Sequence, residues 1–168
     1  MSLLTTNYLT PTGREEAWRF TPLKRLAGLH DLSTLVKENI SLTSNGALPS
    51  GVSLKVVTAS DLPPAYESSD LVTNRIRENV KDISLLRIEK DSELSQPIHL
   101  KRLCGSSAEL SKLVIQAGVN SRSTVIIENT GTGEIGEEIE ISLEAGASLN
   151  FISLQEWDRS AVHLGQHH

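Results

Sequence analysis

A repeat in the second half of the chain constrains the fold more strongly than any other feature. Alternating apolar residues lead to the turn Ala117-Gly118, and the same pattern ends at Ala145-Gly146, 28 residues later. Beyond the turns the alternation resumes with Val125 and Phe151, which are 26 residues apart, so the second copy has lost two residues. Alternation with a period of two indicates strands with one buried face. A repeat of this length predicts a solenoid, and a hairpin-based sandwich with chance similarity remains the alternative.

The first half of the chain has a mixed pattern. A helix is predicted after Ser69 or Asp70, because Val72, Ile76 and Val80 recur with helical spacing. Another helix is predicted over residues 32–40, and strands over residues 52–58, 83–89 and 98–103. The predicted fold is therefore mainly β with a small α/β N-terminal region. Residues 1–82 would form a mixed helical region, and residues 83–168 would form the first part of a β array.

Composition excludes several classes of function. The net charge is −5, no basic stripe is present, and aromatic residues make up only 4% of the chain, which disfavours nucleic-acid binding. No apolar run is long enough to span a membrane, and the first residues lack the pattern of a secretion signal. Cys104 is the only cysteine, which excludes an intrachain disulfide and fits a reducing compartment. We expect a cytoplasmic protein.

Three histidines near the C-terminus, His163, His167 and His168, are the candidates for a metal site. On a helix His163 and His167 would share a face, and imidazole is a common metal ligand. The neighbouring sequence offers only Asp158 and His168 as a third ligand, and paired terminal histidines can be remnants of an affinity tag. We therefore predict no native metal site and keep these three residues as the candidates for one.

Other reactive-looking residues have simpler interpretations. Cys104 follows Lys101-Arg102 but has neither a second cysteine nor an adjacent histidine, so an ordinary thiol at a strand end is predicted. The sequence GTGEIG at 131–136 contains G-x-G-x-x-G, yet it lies between predicted strands and is interpreted as a turn. The acidic residues of the next strand are interpreted as a solvated face: Glu134, Glu137, Glu138 and Glu140. No catalytic residues are predicted.

Two segments carry a resemblance to a known family. Residues 13–23 (GREEAWRFTPL) resemble the N-terminal E-x-W-[RK]-[YF]-T-x-L signature of the SufB/SufD family, the scaffold proteins of SUF iron–sulfur cluster assembly. Residues 153–163 (SLQEWDRSAVH) are similar to the β-helix region of that family, and closer to its SufD branch than to its SufB branch. The similarity runs over essentially the whole chain. Within the first motif, Trp18 and Phe20 are interpreted as core anchors rather than as a partner-binding surface.

The resemblance implies a right-handed parallel β-helix behind a helical N-terminal region, and a non-catalytic scaffold. It also implies two partners, a SufB-like scaffold and a SufC-like ABC-type ATPase, and an iron–sulfur cluster that belongs to the full assembly, with no cofactor bound by this chain alone. Members of the family are considerably longer, and their functional residues lie in the later part. The chain is thus expected to be an N-terminal fragment with a truncated β-helix, and no functional residue is transferred to it.

Two rival functions and one physical consequence follow from these patterns. A carbohydrate-active β-helix enzyme would need a cleft lined with carboxylates and aromatic residues, but this region offers only Phe151 and Trp157 as aromatics. A small metal-binding module would use the terminal histidines. A solenoid that ends between turns exposes apolar side chains and unpaired strand groups, so we expect self-association through the open C-terminal end.

Overall fold

The computed structural model of the protein describes residues 10–31, 37–38, 42–65, 68, 70–105 and 107–168. In this part of the chain it has ten strands, one α-helix and three short 3-10 helices. The strands are β1 (Lys37–Glu38), β2 (Leu42–Ser44), β3 (Val52–Val57), β4 (Ile83–Ile88), β5 (Ile98–Cys104), β6 (Ala108–Ala117), β7 (Arg122–Gly131), β8 (Glu134–Leu143), β9 (Ser148–Trp157) and β10 (Val162–His167). The helices are α1 (Leu71–Asn79) and the 3-10 segments Glu16–Trp18, Leu23–Leu26 and Ala59–Asp61.

The strands form two sheets that the chain visits alternately. One sheet has the order β10-β8-β6-β4-β3, with β1 also paired to β6, and the other has the order β2-β5-β7-β9. All neighbours from β4 onwards pair in parallel, because each strand lies beside the strand that occupied the same sheet one turn earlier. The arrangement is a β-solenoid of about three turns. The predicted mainly β, parallel solenoid is confirmed, and the hairpin-based sandwich is excluded.

The repeat has a single period of 26 residues, which corrects the predicted spacing of 28 at the Ala-Gly turns. Ala117 pairs with Leu143, and Val125 pairs with Phe151. The turn positions that match in space are Asn120 and Gly146, which both have a left-handed backbone, with φ of 56° and 72°. Asparagine tolerates this conformation better than other residues with a side chain. The sequence comparison aligned the visible glycines and so missed the true register.

Apolar layers lie on both sides of the β4-β6-β8 sheet. Between the two sheets, the interior of the solenoid is filled by buried aliphatic residues such as Leu86, Ile115 and Ile127. On the outer face, α1 packs against the sheet through a second cluster that includes Ile76. Asp70 caps this helix by accepting a hydrogen bond from the Thr73 N–H at 2.7 Å. The predicted helix and its cap are therefore confirmed.

The two ends of the solenoid differ. At the N-terminal end, β3 pairs antiparallel with β4 and β2 pairs antiparallel with β5, so that these strands cover the first turn. At the C-terminal end, β9 and β10 are the edge strands of their sheets. There Leu143 is 50% exposed although its strand neighbour one turn earlier, Ala117, is buried. The apolar interior is thus open at one end.

The N-terminal segment corrects one prediction and leaves another untested. Trp18 is half-buried, but Phe20 is 87% exposed and lies beside the Arg19 guanidinium, which is 5.4 Å from its ring centroid. Phe20 is therefore not a core anchor. The helix predicted over residues 32–40 falls mostly outside the described residues, and Lys37–Glu38 within it form a short strand. In the described part of the chain, no helix combines the length and apolar character that a membrane span requires.

Candidate functional site: buried charges in the last turns of the solenoid

Two neighbouring glutamates on β8 are buried on opposite faces of the sheet. Glu137 is 1% exposed and Glu138 is 0% exposed. The prediction of a solvated acidic face is therefore wrong for these two residues. The strand is central, with β6 on one side and β10 on the other, and α1 covers its outer face. Burying a carboxylate is costly unless it is paired, and each glutamate has its own set of cationic partners.

The inner cluster centres on Glu137 and joins the two sheets across the interior. Arg102 on β5 donates from Nη1 to Glu137 Oε2 and, at 3.1 Å, to Asn129 Oδ1. His163 Nε2 lies 2.6 Å from Glu137 Oε1 and donates to it, because an ionised carboxylate can only accept. Burial alone would raise the pKa of Glu137. The Arg102 guanidinium and the hydrogen bonds from His163 and His167 outweigh it and hold that pKa well below its usual range.

The three candidate histidines are placed on a strand, and only two of them join this cluster. His163 and His167 lie on the inward face of β10, and His167 Nε2 is 3.8 Å from Glu137 Oε1. His168 instead forms main-chain hydrogen bonds with Ile139 and Ile141 of β8. Within the described residues, no group of three or more His, Cys, Asp or Glu side chains is arranged to hold a metal ion. The predicted helical arrangement of the histidines is wrong.

Arg102 and Asn129 connect successive turns. Asn129 is fully buried and donates from Nδ2 to Ser153 Oγ and to the Leu154 carbonyl, both at 3.1 Å. Arg102, Asn129 and Gln155 are stacked in register on β5, β7 and β9, so a polar row runs through three turns of one sheet. Two guanidinium nitrogens of Arg102, Nε and Nη2, have no hydrogen-bond partner in the protein.

The outer cluster centres on Glu138 and fastens α1 to the sheet. Arg77 of α1 donates from Nε to Glu138 Oε1 at 2.9 Å. Lys112 Nζ of β6 lies 3.1 Å from Glu138 Oε2 and 3.3 Å from Glu140 Oε2. Because Glu138 is buried and its cations come from a helix and a neighbouring strand, this cluster holds three elements in one arrangement.

The arrangement does not support acid–base catalysis between the two buried glutamates. Glu137 and Glu138 are adjacent in sequence on a strand, so their carboxylates lie on opposite faces of the sheet and cannot flank one substrate bond. Each is also held ionised or ion-paired by a close cation. This geometry gives no support to a carbohydrate-active enzyme.

Cys104 and the glycine-rich segment have the structures that the sequence predicts. Cys104 ends β5 and is buried, and burial together with the neighbouring Glu109 raises the pKa of its thiol to about 12. The residues 131–136 form the turn from β7 to β8 and open no helix. A Cβ on Gly131 would lie 2.1 Å from the Cys104 carbonyl oxygen, so this glycine is required by the close approach of successive turns.

The buried charges were missed in the sequence, although a signal for them exists. Arg102 continues the inward alternation of Ile98 and Leu100, and Glu137 continues that of Ile135 and Ile139. A charge at an inward position of an alternating strand indicates a buried pair. Arg102 and Glu137 are 35 residues apart and on different sheets, so only the folded chain shows that they are partners.

Known proteins similar to this chain are named for iron–sulfur cluster assembly. An iron-sulfur cluster assembly SufBD family protein of Mycobacterium leprae is 28% identical over 162 residues, which cover 94% of this chain and 41% of that protein. A protein of the same description from Mycobacterium tuberculosis is 26% identical over 164 residues, with 94% and 40% covered. The chain therefore spans about two fifths of the length of these relatives. No protein-family model and no solved structure matches the chain.

Proposed function

We propose that the chain is part of a scaffold protein of iron–sulfur cluster assembly in the SufB/SufD family. The observation that carries this proposal is the similarity to relatives of that description over 94% of the chain. The β-solenoid is the fold that the resemblance implies, and the Trp18 motif stands at the N-terminal position expected for it. Both features are consistent with the relatives but were found independently of them.

The finer assignment is to the SufD branch, in the cytoplasm, as the N-terminal part of a longer protein. The open end of the solenoid supports the last point, because Leu143, Ile152 and Leu154 are partly exposed there and a further turn would bury the half-exposed interior. The proposed partners are a SufB-like scaffold and a SufC-like ATPase. The iron–sulfur cluster would be a product of the whole assembly.

In this proposal the chain has no catalytic role. Its two buried charge clusters hold the turns and α1 in fixed positions, which is the property that a scaffold needs from its framework. Arg102, Glu137 and His163 connect three strands across the interior, and Arg77, Lys112 and Glu138 connect the helix to the sheet.

The test is to isolate the native protein from its own cells through an N-terminal epitope and to identify the chains that accompany it. We expect an intact mass well above 18.3 kDa, together with an ABC-type ATPase and a second scaffold in stoichiometric amounts. An unrelated protein with the same epitope is the control. Recovery of an 18.3 kDa chain without either partner would overturn the proposal. Deleting the gene should also lower the activity of iron–sulfur enzymes and spare enzymes without clusters.

A further inference from the structure

A cavity of about 280 Å³ lies beside the inner charge cluster, between the N-terminal segment, the start of α1 and the last strand β10. Leu26, Val72 and Leu164 form its apolar walls. Trp18, Thr21 and Asp70 lie at its mouth, where they also line an adjoining hollow. A concave apolar site with a few polar groups is the usual form of a small-molecule site.

The floor of the cavity reaches the buried Glu137 because Gly165 has no side chain. A Cβ at Gly165 would lie 3.3 Å from Glu137 Oε1 and 3.1 Å from the His163 ring. Gly165 is the neighbour of Glu137 on β10, so the cavity and the inner cluster share this point of contact.

The charges at the cavity favour a cation. Among the described residues that line it, only Asp70 and Glu137 are charged, and both are acidic. Asp70 accepts the Thr73 N–H through Oδ1, yet an ionised carboxylate can accept several hydrogen bonds. Trp18 adds an indole ring at the mouth, and tryptophan is the side chain that attracts cations best through its ring face.

We propose that this cavity binds a small molecule that carries a primary ammonium group on a short aliphatic chain. The ammonium group lies at the mouth between Trp18 and Asp70, and the aliphatic chain extends along Leu26, Val72 and Leu164. This inference does not depend on the proposed scaffold function, since it rests on the cavity alone. None of the relatives' descriptions mentions such a ligand.

The experiment uses n-butylammonium as the probe and 1-butanol as its uncharged counterpart. In a Trp157→Phe background, Trp18 is the only tryptophan, so its fluorescence reports on the cavity. We expect a saturable change with n-butylammonium, with an affinity at least about fivefold higher than for 1-butanol. The indole N–H signal of Trp18 in an NMR spectrum should shift in the same titration.

The decisive variant is Asp70→Asn, because asparagine caps a helix as well as aspartate does while it removes the charge. We expect the affinity for n-butylammonium to fall at least about fivefold with the helix content unchanged. Glu78→Gln on the same helix removes an exposed carboxylate that does not line the cavity, and it should leave the affinity unchanged.

Gly165→Ala provides a second variant that narrows the floor and leaves the mouth intact. We expect it to weaken longer-chain alkylammonium probes, such as n-hexylammonium, more than n-butylammonium. Three results would overturn the proposal: no saturable change at Trp18, equal affinity for n-butylammonium and 1-butanol, or an Asp70→Asn variant that binds as well as the parent protein.

Discussion

At the scale of single residues, the most consequential feature is that Glu137 is ionised inside the solenoid. Its carboxylate is fully buried and is stabilised by one arginine and by histidine hydrogen bonds. Removing one member of a buried ion pair typically costs about 3–5 kcal/mol, because the partner charge remains buried without compensation. The same pairing makes stability depend on pH, because the pKa of Glu137 differs between the folded and unfolded chain.

Glu137→Gln should destabilise the protein by about 3 kcal/mol at neutral pH. The pKa of Glu137 in the folded state lies below its ordinary value of 4.5, so its contribution is fully present above that pH and is lost as pH falls through the lower folded pKa. The difference between the parent protein and the variant should therefore shrink progressively below about pH 4.5. Urea unfolding from pH 7 to pH 3 measures it. Glu156→Gln, at an exposed residue of β9, is the control, and a pH-independent difference would contradict the prediction.

Cys104 should react slowly with thiol reagents in the folded protein. Burial raises the pKa of its thiol from 9.0 to about 12, so the reactive thiolate is scarce at pH 8 as well as inaccessible. We expect labelling by a chromogenic disulfide reagent at least about a hundredfold slower than in urea. Leu103→Cys in a Cys104→Ser background places a thiol at a neighbouring position that is 66% exposed and should react rapidly. Equal rates at the two positions would refute this assignment.

At the scale of elements, the close stacking of turns depends on particular glycines. Gly131 ends β7 with a φ of 130°, and its missing side chain lets the Cys104 carbonyl of the previous turn approach. Gly46 also has a positive φ, of 106°, but a Cβ there would meet nothing within 4 Å. The pair therefore separates the cost of the backbone conformation from the cost of a steric clash.

Gly131→Ala should destabilise the protein by more than about 3 kcal/mol, because the new methyl group must displace backbone atoms of the neighbouring strand. Gly46→Ala should cost only about 1–2 kcal/mol, which is the strain of a positive φ with a side chain. Urea unfolding of both variants gives the two values. If the two substitutions proved equally costly, the close approach at Gly131 would not be the reason for its glycine.

At the scale of the whole molecule, the solenoid has one covered end and one open end. The covered end carries antiparallel strands, and the open end presents two parallel edge strands with a half-exposed apolar interior that includes Leu149 and Phe151. Such an edge is a template for pairing with another chain. In a longer protein the next turn would cover it, and in this chain by itself a second copy can do so.

We expect this chain by itself to associate through its open end as its concentration rises. Sedimentation velocity from low to high micromolar concentration should show a growing dimer or larger species. Phe151→Lys should reduce the association, because it places a charge on the exposed interior. Val56→Lys introduces the same charge on an exposed residue of β3 at the covered end and should have little effect. A chain that stays monomeric throughout would count against association through this end.

The sequence by itself determined the elements of this protein. Period-two alternation identified the strands, and Asp70 with the helical spacing of Val72 and Ile76 identified α1, because these signals depend on residues only a few positions apart. The turn at residues 131–136 was recognised in the same way, from its place between strands.

Only the tertiary structure decided which residues meet. The register of 26 follows from hydrogen bonds between strands one turn apart, and Asn120 replaces the glycine that the sequence comparison expected at the matching turn. Glu137 and Glu138 became buried because β8 lies between two strands and beneath α1, and Arg102 became the partner of Glu137 because the two sheets face each other. Phe20 became exposed although its size favours burial. Such pairings involve positions far apart along the chain, where local alternation gives the inward face but not the residue opposite it.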